Sequence, residues 1–206
     1  MIKHILRIFL SLILIVSSTL FSNTLNAQEQ KMPKTALIII DIQDFYFPGG
    51  MLPLNEPEKA ALNAQKTLDA FREKKLMVIH VKHNANSGAD IHPLVKPVDG
   101  EKIITKNKAN AFVGSDLHSY LKENKIEHLV LCGMQTHMCL EAATRAASDY
   151  GFQCTVIEDA CTTRDLKFED EVIKAKDVHY STLSTLNGTY ATIKTTKQFL
   201  EEQKKE

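Results

Sequence analysis

The sequence predicts an α/β fold: a mainly parallel six-stranded sheet, doubly wound, with helices on both faces to give three αβα layers. Three observations predict it. Short continuous apolar runs recur along the chain, as in strands buried on both faces. Stretches with apolar residues at helical spacing separate them, and turn-forming residues mark the junctions.

The elements follow in order. Residues 35–40 read TALIII and end in Asp41, a buried strand. Residues 57–75 carry Ala61, Leu62, Leu68 and Phe71 at helical spacing, and 76–81 form a second buried strand. A polar, turn-rich segment covers 83–100 before a short third strand at 102–105. Residues 115–124 read as a helix with Ser115 as its cap and Leu117, Tyr120 and Leu121 on one side. A fourth strand is expected at 128–132. A helix over 137–150 is apolar at Cys139, Ala142, Ala143, Ala146 and Ala147 and is closed by Gly151. Residues 153–157 give a fifth strand, 169–176 a helix, 190–193 a sixth strand, and 195 onward a last helix. Such Rossmann-like sheets bind ligands beyond the carboxyl ends of their strands, near the switch in strand order.

The amino terminus is not part of this pattern. Lys3 and Arg7 precede an apolar stretch from Ile8 to about Val16, followed by small polar residues and Ala27. That is the layout of a secretory signal peptide, so residues 1–27 are expected to be removed and 28–206 to form one domain. The apolar stretch falls short of the roughly 20 residues that span a bilayer, so no stable membrane anchor is expected. The protein is then periplasmic or secreted.

The whole chain has 206 residues, 44% of them apolar, with 25 basic and 25 acidic side chains. This apolar share supports a core and excludes a disordered chain. Balanced charge without a long basic run excludes a nucleic-acid partner. The four cysteines, Cys132, Cys139, Cys154 and Cys161, match no zinc spacing. An exporting cell permits disulfides among them, although Cys139 is expected to stay free and the others to be mostly buried thiols. His80, His83, Asp90 and His92 share one segment but lack a repeated ligand spacing, so neither metal nor cofactor is expected.

Three strand ends hold side chains capable of chemistry. Cys139 lies in the expected first turn of a helix, where unpaired amides and the helix dipole lower a thiol's pKa and cradle an oxyanion. By position it is either a nucleophile or a buried structural thiol. Asp41 follows an apolar strand and is either a general base for the thiol or a brace for the next loop. Lys106 closes the third strand, where an ammonium would stabilise both anions or simply be solvated. His137 shares a short turn with Cys139, which suits a pocket-wall or structural role.

Four blocks carry a family resemblance: ALIIIDIQDFYFPGG (36–50), IHP (91–93), KNKANAFVGSDL (106–117) and VLCGMQTHMC (130–139), continued by AASDYGF and IEDACTTRDL. In this order and spacing they resemble the isochorismatase-like cysteine hydrolases, from about Lys34 to the carboxyl terminus. The resemblance implies a Cys139, Asp41, Lys106 triad. It also implies a cis peptide at Met134-Gln135, with the amides of Gln135 and Cys139 as oxyanion hole. Gln43, Tyr46 and Phe112 fall where relatives have substrate-binding residues, and the two rings suit a planar substrate. Cys139 favours cleavage of a C-N bond in a small amide, carbamoyl or ureido compound over the vinyl ether hydrolysis of relatives without a cysteine. A non-catalytic, ligand-binding member is the other alternative. Nicotinamidases of this family carry Asp-x-His after the second strand, where this chain has Lys82-His83-Asn84, which disfavours a metal-assisted nicotinamidase. The resemblance further implies a homo-oligomer, dimer or tetramer.

Overall fold

The computed structural model describes residues 34–204. The expected signal peptide lies outside the described residues. Six strands, β1 (Thr35–Ile40), β2 (Met77–His83), β3 (Lys102–Lys106), β4 (His128–Met134), β5 (Gln153–Thr162) and β8 (Thr192–Lys194), form a sheet in the order β3-β2-β1-β4-β5-β8. Every neighbouring pair in it is parallel. A separate antiparallel hairpin joins β6 (Leu166–Phe168) to β7 (Glu171–Ile173).

Helices flank the sheet: α1 (Pro57–Glu73), α2 (Leu117–Glu123), α3 (Glu141–Asp149), α4 (Ala175–Leu186) and α5 (Thr196–Gln203). The chain winds from β1 outward through β2 to β3, then returns to the other side of β1 as β4. Right-handed crossovers in opposite directions place their helices on opposite faces, which gives the three layers. The carboxyl ends of β1 and β4 therefore frame the switch point, where a parallel sheet leaves a crevice.

Burial explains the composition of the central strands. Ala36, Leu37, Ile38, Ile39 and Ile40 are all buried, as are Leu129 to Cys132 on β4. At roughly 1.5–3 kcal/mol for each large apolar side chain taken from water, these two strands anchor the core. Among the described residues no helix is long and apolar enough to cross a membrane. All four cysteines are buried free thiols.

The element boundaries depart from the expected ones in four places. The helix expected over 169–176 is absent there: Leu166–Phe168 and Glu171–Ile173 form the hairpin, and α4 begins only at Ala175. Glu169, with φ of 52°, turns the chain between the strands, a conformation no helix accepts. The fifth strand runs on to Thr162 through a register shift opposite Leu131 and Gly133, and the sixth strand of the sheet starts at Thr192. Cys139 lies in a π-helical turn, Thr136–Leu140, that precedes α3.

Candidate active site

Strand ends assemble the site. β1 stops at Asp41, whose φ of 49° swings the chain out of the sheet while its amide still donates to the Val81 carbonyl at 2.9 Å. In the β2–β3 register His83 lies opposite Lys106, so both side chains arrive at one end of the sheet. β4 delivers Cys139 through Gly133. A Cβ on Gly133 would stand 2.0 Å from the Ile40 carbonyl oxygen, and its φ is +126°, so only glycine lets β4 pass β1 at this point. Beyond it the Met134-Gln135 peptide is cis, and the Gln135 carbonyl accepts the amides of Met138 at 3.1 Å and Leu140 at 3.3 Å. Two histidines tie the turn to its surroundings: His137 Nδ1 lies 2.6 Å from Thr163 Oγ1 and His179 Nδ1 lies 2.9 Å from Thr136 Oγ1.

Lys106 joins the chemically active groups. Its Nζ lies 2.7 Å from Asp41 Oδ2, 3.2 Å from Cys139 Sγ and 3.2 Å from His83 Nδ1. Asp41 is 0% and Lys106 1% exposed, so their attraction is scarcely screened. Asp41 Oδ1 is buried with no hydrogen-bond partner among the described residues, an acceptor left available for a proton.

The electrostatics follow from burial. Desolvation pushes the Asp41 carboxyl above its ordinary range, against the pull of Lys106. Burial, then the Asp41 carboxylate, pushes the Cys139 thiol up to about 12, while Lys106 opposes the shift. This corrects the expectation of a lowered thiol pKa. Cys139 lies ahead of α3 in the π turn and beside a carboxylate, so burial and negative charge outweigh any helix-end field. The resting pair is a neutral thiol beside an Asp41–Lys106 ion pair. His83 is pushed down, first by burial and then by Lys106, and stays neutral at pH 7.

Above Cys139 opens a pocket of about 330 Å³ walled by Phe45, Tyr46, His83, Ala85, Ala109, Gln135 and Arg164, with Met51, Leu52 and Met138 at its rim. Tyr46 is in the wall as the sequence suggests, and its hydroxyl accepts a hydrogen bond from Gln135 Nε2 at 3.3 Å. Burial raises its own pKa, so it stays protonated. Gln43 is placed differently. Its amide donates to the carbonyls of His83 at 3.0 Å and Ala89 at 2.7 Å and accepts the His83 amide at 2.7 Å. These bonds fasten the 83–100 segment to β1, leaving Gln43 a brace behind the wall. Phe112 lies outside the pocket, its ring packed against Tyr150 and Phe152. An aromatic side chain in a long loop is drawn to the nearest apolar cluster, here beside α3.

Two wall residues carry a charge or proton that the sequence did not assign to the site. The sequence presents His83 only among candidate metal ligands. Arg164 follows β5 by two residues, the same strand-end position that singles out Asp41 and Lys106. Among the described residues no group of three or more His, Cys, Asp or Glu side chains is arranged to hold a metal ion.

Comparison with known proteins agrees with this geometry. A family model described as the isochorismatase domain matches residues 35–187. An isochorismatase family protein, YddQ of Bacillus subtilis, is 44% identical over 177 residues, covering 81% of this chain and 98% of its own length. The crystal structure of an isochorismatase from Pseudomonas putida superposes with a TM-score of 0.77 at 34% identity, over 80% of this chain and 89% of the other. A cysteine hydrolase from Pseudomonas syringae pv. phaseolicola shares the fold, with a TM-score of 0.80 at 20% identity over 84% and 93% of the two chains. The sheet order, the switch-point pocket and these matches together place the chain in the isochorismatase family of hydrolases.

Proposed function

We propose that this hydrolase is exported and cleaves a C-N bond of a small amide, carbamoyl or ureido compound through a thioester on Cys139. The observation that carries the reading is Lys106 Nζ, 2.7 Å from Asp41 and 3.2 Å from Cys139 Sγ, beneath a pocket that admits a small molecule. Export rests on the order of Lys3, Arg7, the apolar stretch and Ala27. A secreted protein whose intact mass begins at Gln28 is the expected product, and an uncut one would remove that part of the reading.

The mechanism follows from the acidities. A thiol near 12 and a carboxyl raised above its ordinary range lie closer together than the same groups in water, which favours a proton moving between them on demand. Asp41 takes the Cys139 proton and the thiolate attacks the carbonyl carbon. Lys106 stays charged and balances whichever anion is present. The amides of Gln135 and Cys139 stabilise the oxyanion, a contribution worth about 3 kcal/mol for each well-placed donor. Asp41 then protonates the departing nitrogen, the C-N bond breaks, and the acyl group remains on sulfur. Water gives a proton to Asp41 as it attacks the thioester, and Asp41 returns that proton to the leaving thiolate. A catalytically active homo-oligomer is compatible with this scheme, and sedimentation of the purified chain as a monomer would exclude it.

A panel of small amides and ureides, assayed with the wild type and Cys139→Ala, tests the chemistry. Turnover of any accepted compound is expected to fall by about 10³-fold or more in the variant. Retained turnover would remove Cys139 from the reaction.

A further inference from the structure

The pocket over Cys139 contains one charge that nothing among the described residues answers. Among the described residues Arg164 is the only charged one in its wall, and it makes no ion pair and no hydrogen bond with any of them. Its Nε is buried without an acceptor. The acidic side chains nearby in sequence are committed elsewhere. Asp165 holds Lys174 at 2.9 Å and the Ala175 amide at 2.8 Å, and Glu141 holds Arg145 at 2.8 Å.

The remaining groups do not offset it. Asp41 and Lys106 cancel each other, Cys139 and Tyr46 are protonated, and His83 is neutral. The site therefore carries one net positive charge on the guanidinium. A buried guanidinium N-H without an acceptor is costly, and a ligand that supplies the acceptor recovers that cost. Its flat fork matches a carboxylate with two parallel hydrogen bonds.

We infer that Arg164 receives a carboxylate of the substrate, so that the enzyme acts on small amides bearing a free carboxylate remote from the scissile bond. The inference rests on the hydrolase reading and narrows it. A single positive charge matches a monoanion better than a phosphate dianion, which would leave one charge unpaired in a largely apolar pocket. The exposed rim of Met51 (65%), Leu52 (37%) and Met138 (41%) suits a short hydrocarbon link between the two polar ends.

Matched compounds test it: succinamate against butyramide, and glutaramate against valeramide, assayed on the full chain. The wild type is expected to prefer the carboxylate of each pair in kcat/KM by about 10- to 100-fold, the strength of a charge-assisted pair of hydrogen bonds. Arg164→Gln should bring that ratio close to one, and Arg164→Lys, which keeps the charge but loses the fork, should keep part of it. A wild-type ratio near one, or a ratio unchanged in Arg164→Gln, overturns the inference and leaves the hydrolase reading intact. If none of the amides is turned over, calorimetric titration with succinate and glutarate decides separately. Saturable binding lost in Arg164→Gln upholds the anion site while the hydrolase reading falls. Absence of binding to the wild type overturns the anion site.

Discussion

Asp41 and Glu101 are both carboxylates held by a neighbouring cation, yet the protein drives their acidities in opposite directions. Asp41 sits at the switch point with one ammonium at 2.7 Å, an oxygen without a hydrogen bond, and a carboxyl pushed up by burial. Glu101 precedes β3 and is surrounded by donors: Arg72 at 2.7 and 2.9 Å, His80 at 2.8 Å and the Val98 amide at 3.0 Å. Those bonds overcome the opposing effect of burial and hold its carboxyl down at about 2. His80, pushed down chiefly by burial, is neutral and donates its Nε2-H to Glu101. The difference is one of hydrogen-bond supply. A carboxylate with both oxygens answered fastens α1, β2 and the 93–101 segment together, while one left partly unanswered keeps its capacity to take a proton.

The largest expected effect comes from neutralising each acid in turn. Asp41→Asn should cut turnover by about 10³-fold, because the proton acceptor is gone. Stability should change little, because a carboxyl whose pKa is raised in the fold gains no net stability there from being ionised, so the neutral amide gives none up. The backbone tolerates the change, because asparagine is among the residues that accept positive φ. Labelling of Cys139 by iodoacetamide should become faster in this variant, because the carboxylate that raises the thiol's pKa is removed while Lys106 still lowers it. Faster labelling with slower turnover is the signature of a base. Parallel loss of both would place Asp41 in a bracing role like that of Glu101. For Glu101→Gln the expected outcome is turnover within about threefold of wild type and a loss of roughly 2 kcal/mol in urea unfolding.

Acid sharpens the contrast at a smaller scale. A carboxyl whose folded pKa is depressed stabilises the fold above its unfolded value and loses that contribution as pH falls through the folded value. For Glu101 the window runs from about 4.5 down to about 2. The stability gap between wild type and Glu101→Gln should therefore be full at pH 7, shrink below about 4.5 and be nearly closed at about 2. Asp41 has the opposite sign: its raised pKa favours the fold when protonated and opposes it once ionised. Denaturant midpoints of the two proteins across this range check the window. A gap that persists unchanged to low pH would mean that packing, not charge, holds Glu101.

The same physical distinction separates what the sequence reveals from what it conceals. TALIII and the return through Gly133 are legible because a strand buried on both faces has no polar positions to confuse its reading. Asp41 and Lys106 are legible because each closes a strand run at its carboxyl end, and Cys139 because it follows the glycine that ends the fourth such run. Gln43 occupies an equally marked position, but whether its amide faces a substrate or the 83–89 carbonyls depends on how the loop folds back. The hairpin at 166–173 was hidden because its strands are only three residues each and mix charged with apolar side chains. The acidity of Cys139 depends on depth and on a carboxylate 98 positions away in the chain, neither of which is a local property.

Phe112 supplies the smallest and most local test of where the site ends. Its sequence block suggested a pocket residue, whereas its ring centroid lies 5.4 Å from that of Tyr150 and 6.4 Å from that of Phe152. Phe112→Leu keeps most of the apolar volume while removing the ring contacts. It should therefore cost about 1 kcal/mol of stability and leave kcat/KM within about twofold of wild type. Tyr46, which lines the pocket, provides the contrast: Tyr46→Leu also removes a ring, but it takes away the hydroxyl that receives Gln135 Nε2 beside the cis bond. If Phe112→Leu lowered kcat/KM more than Tyr46→Leu at equal stability, the substrate would have to reach toward α3, and the boundary between binding wall and scaffold would move with it.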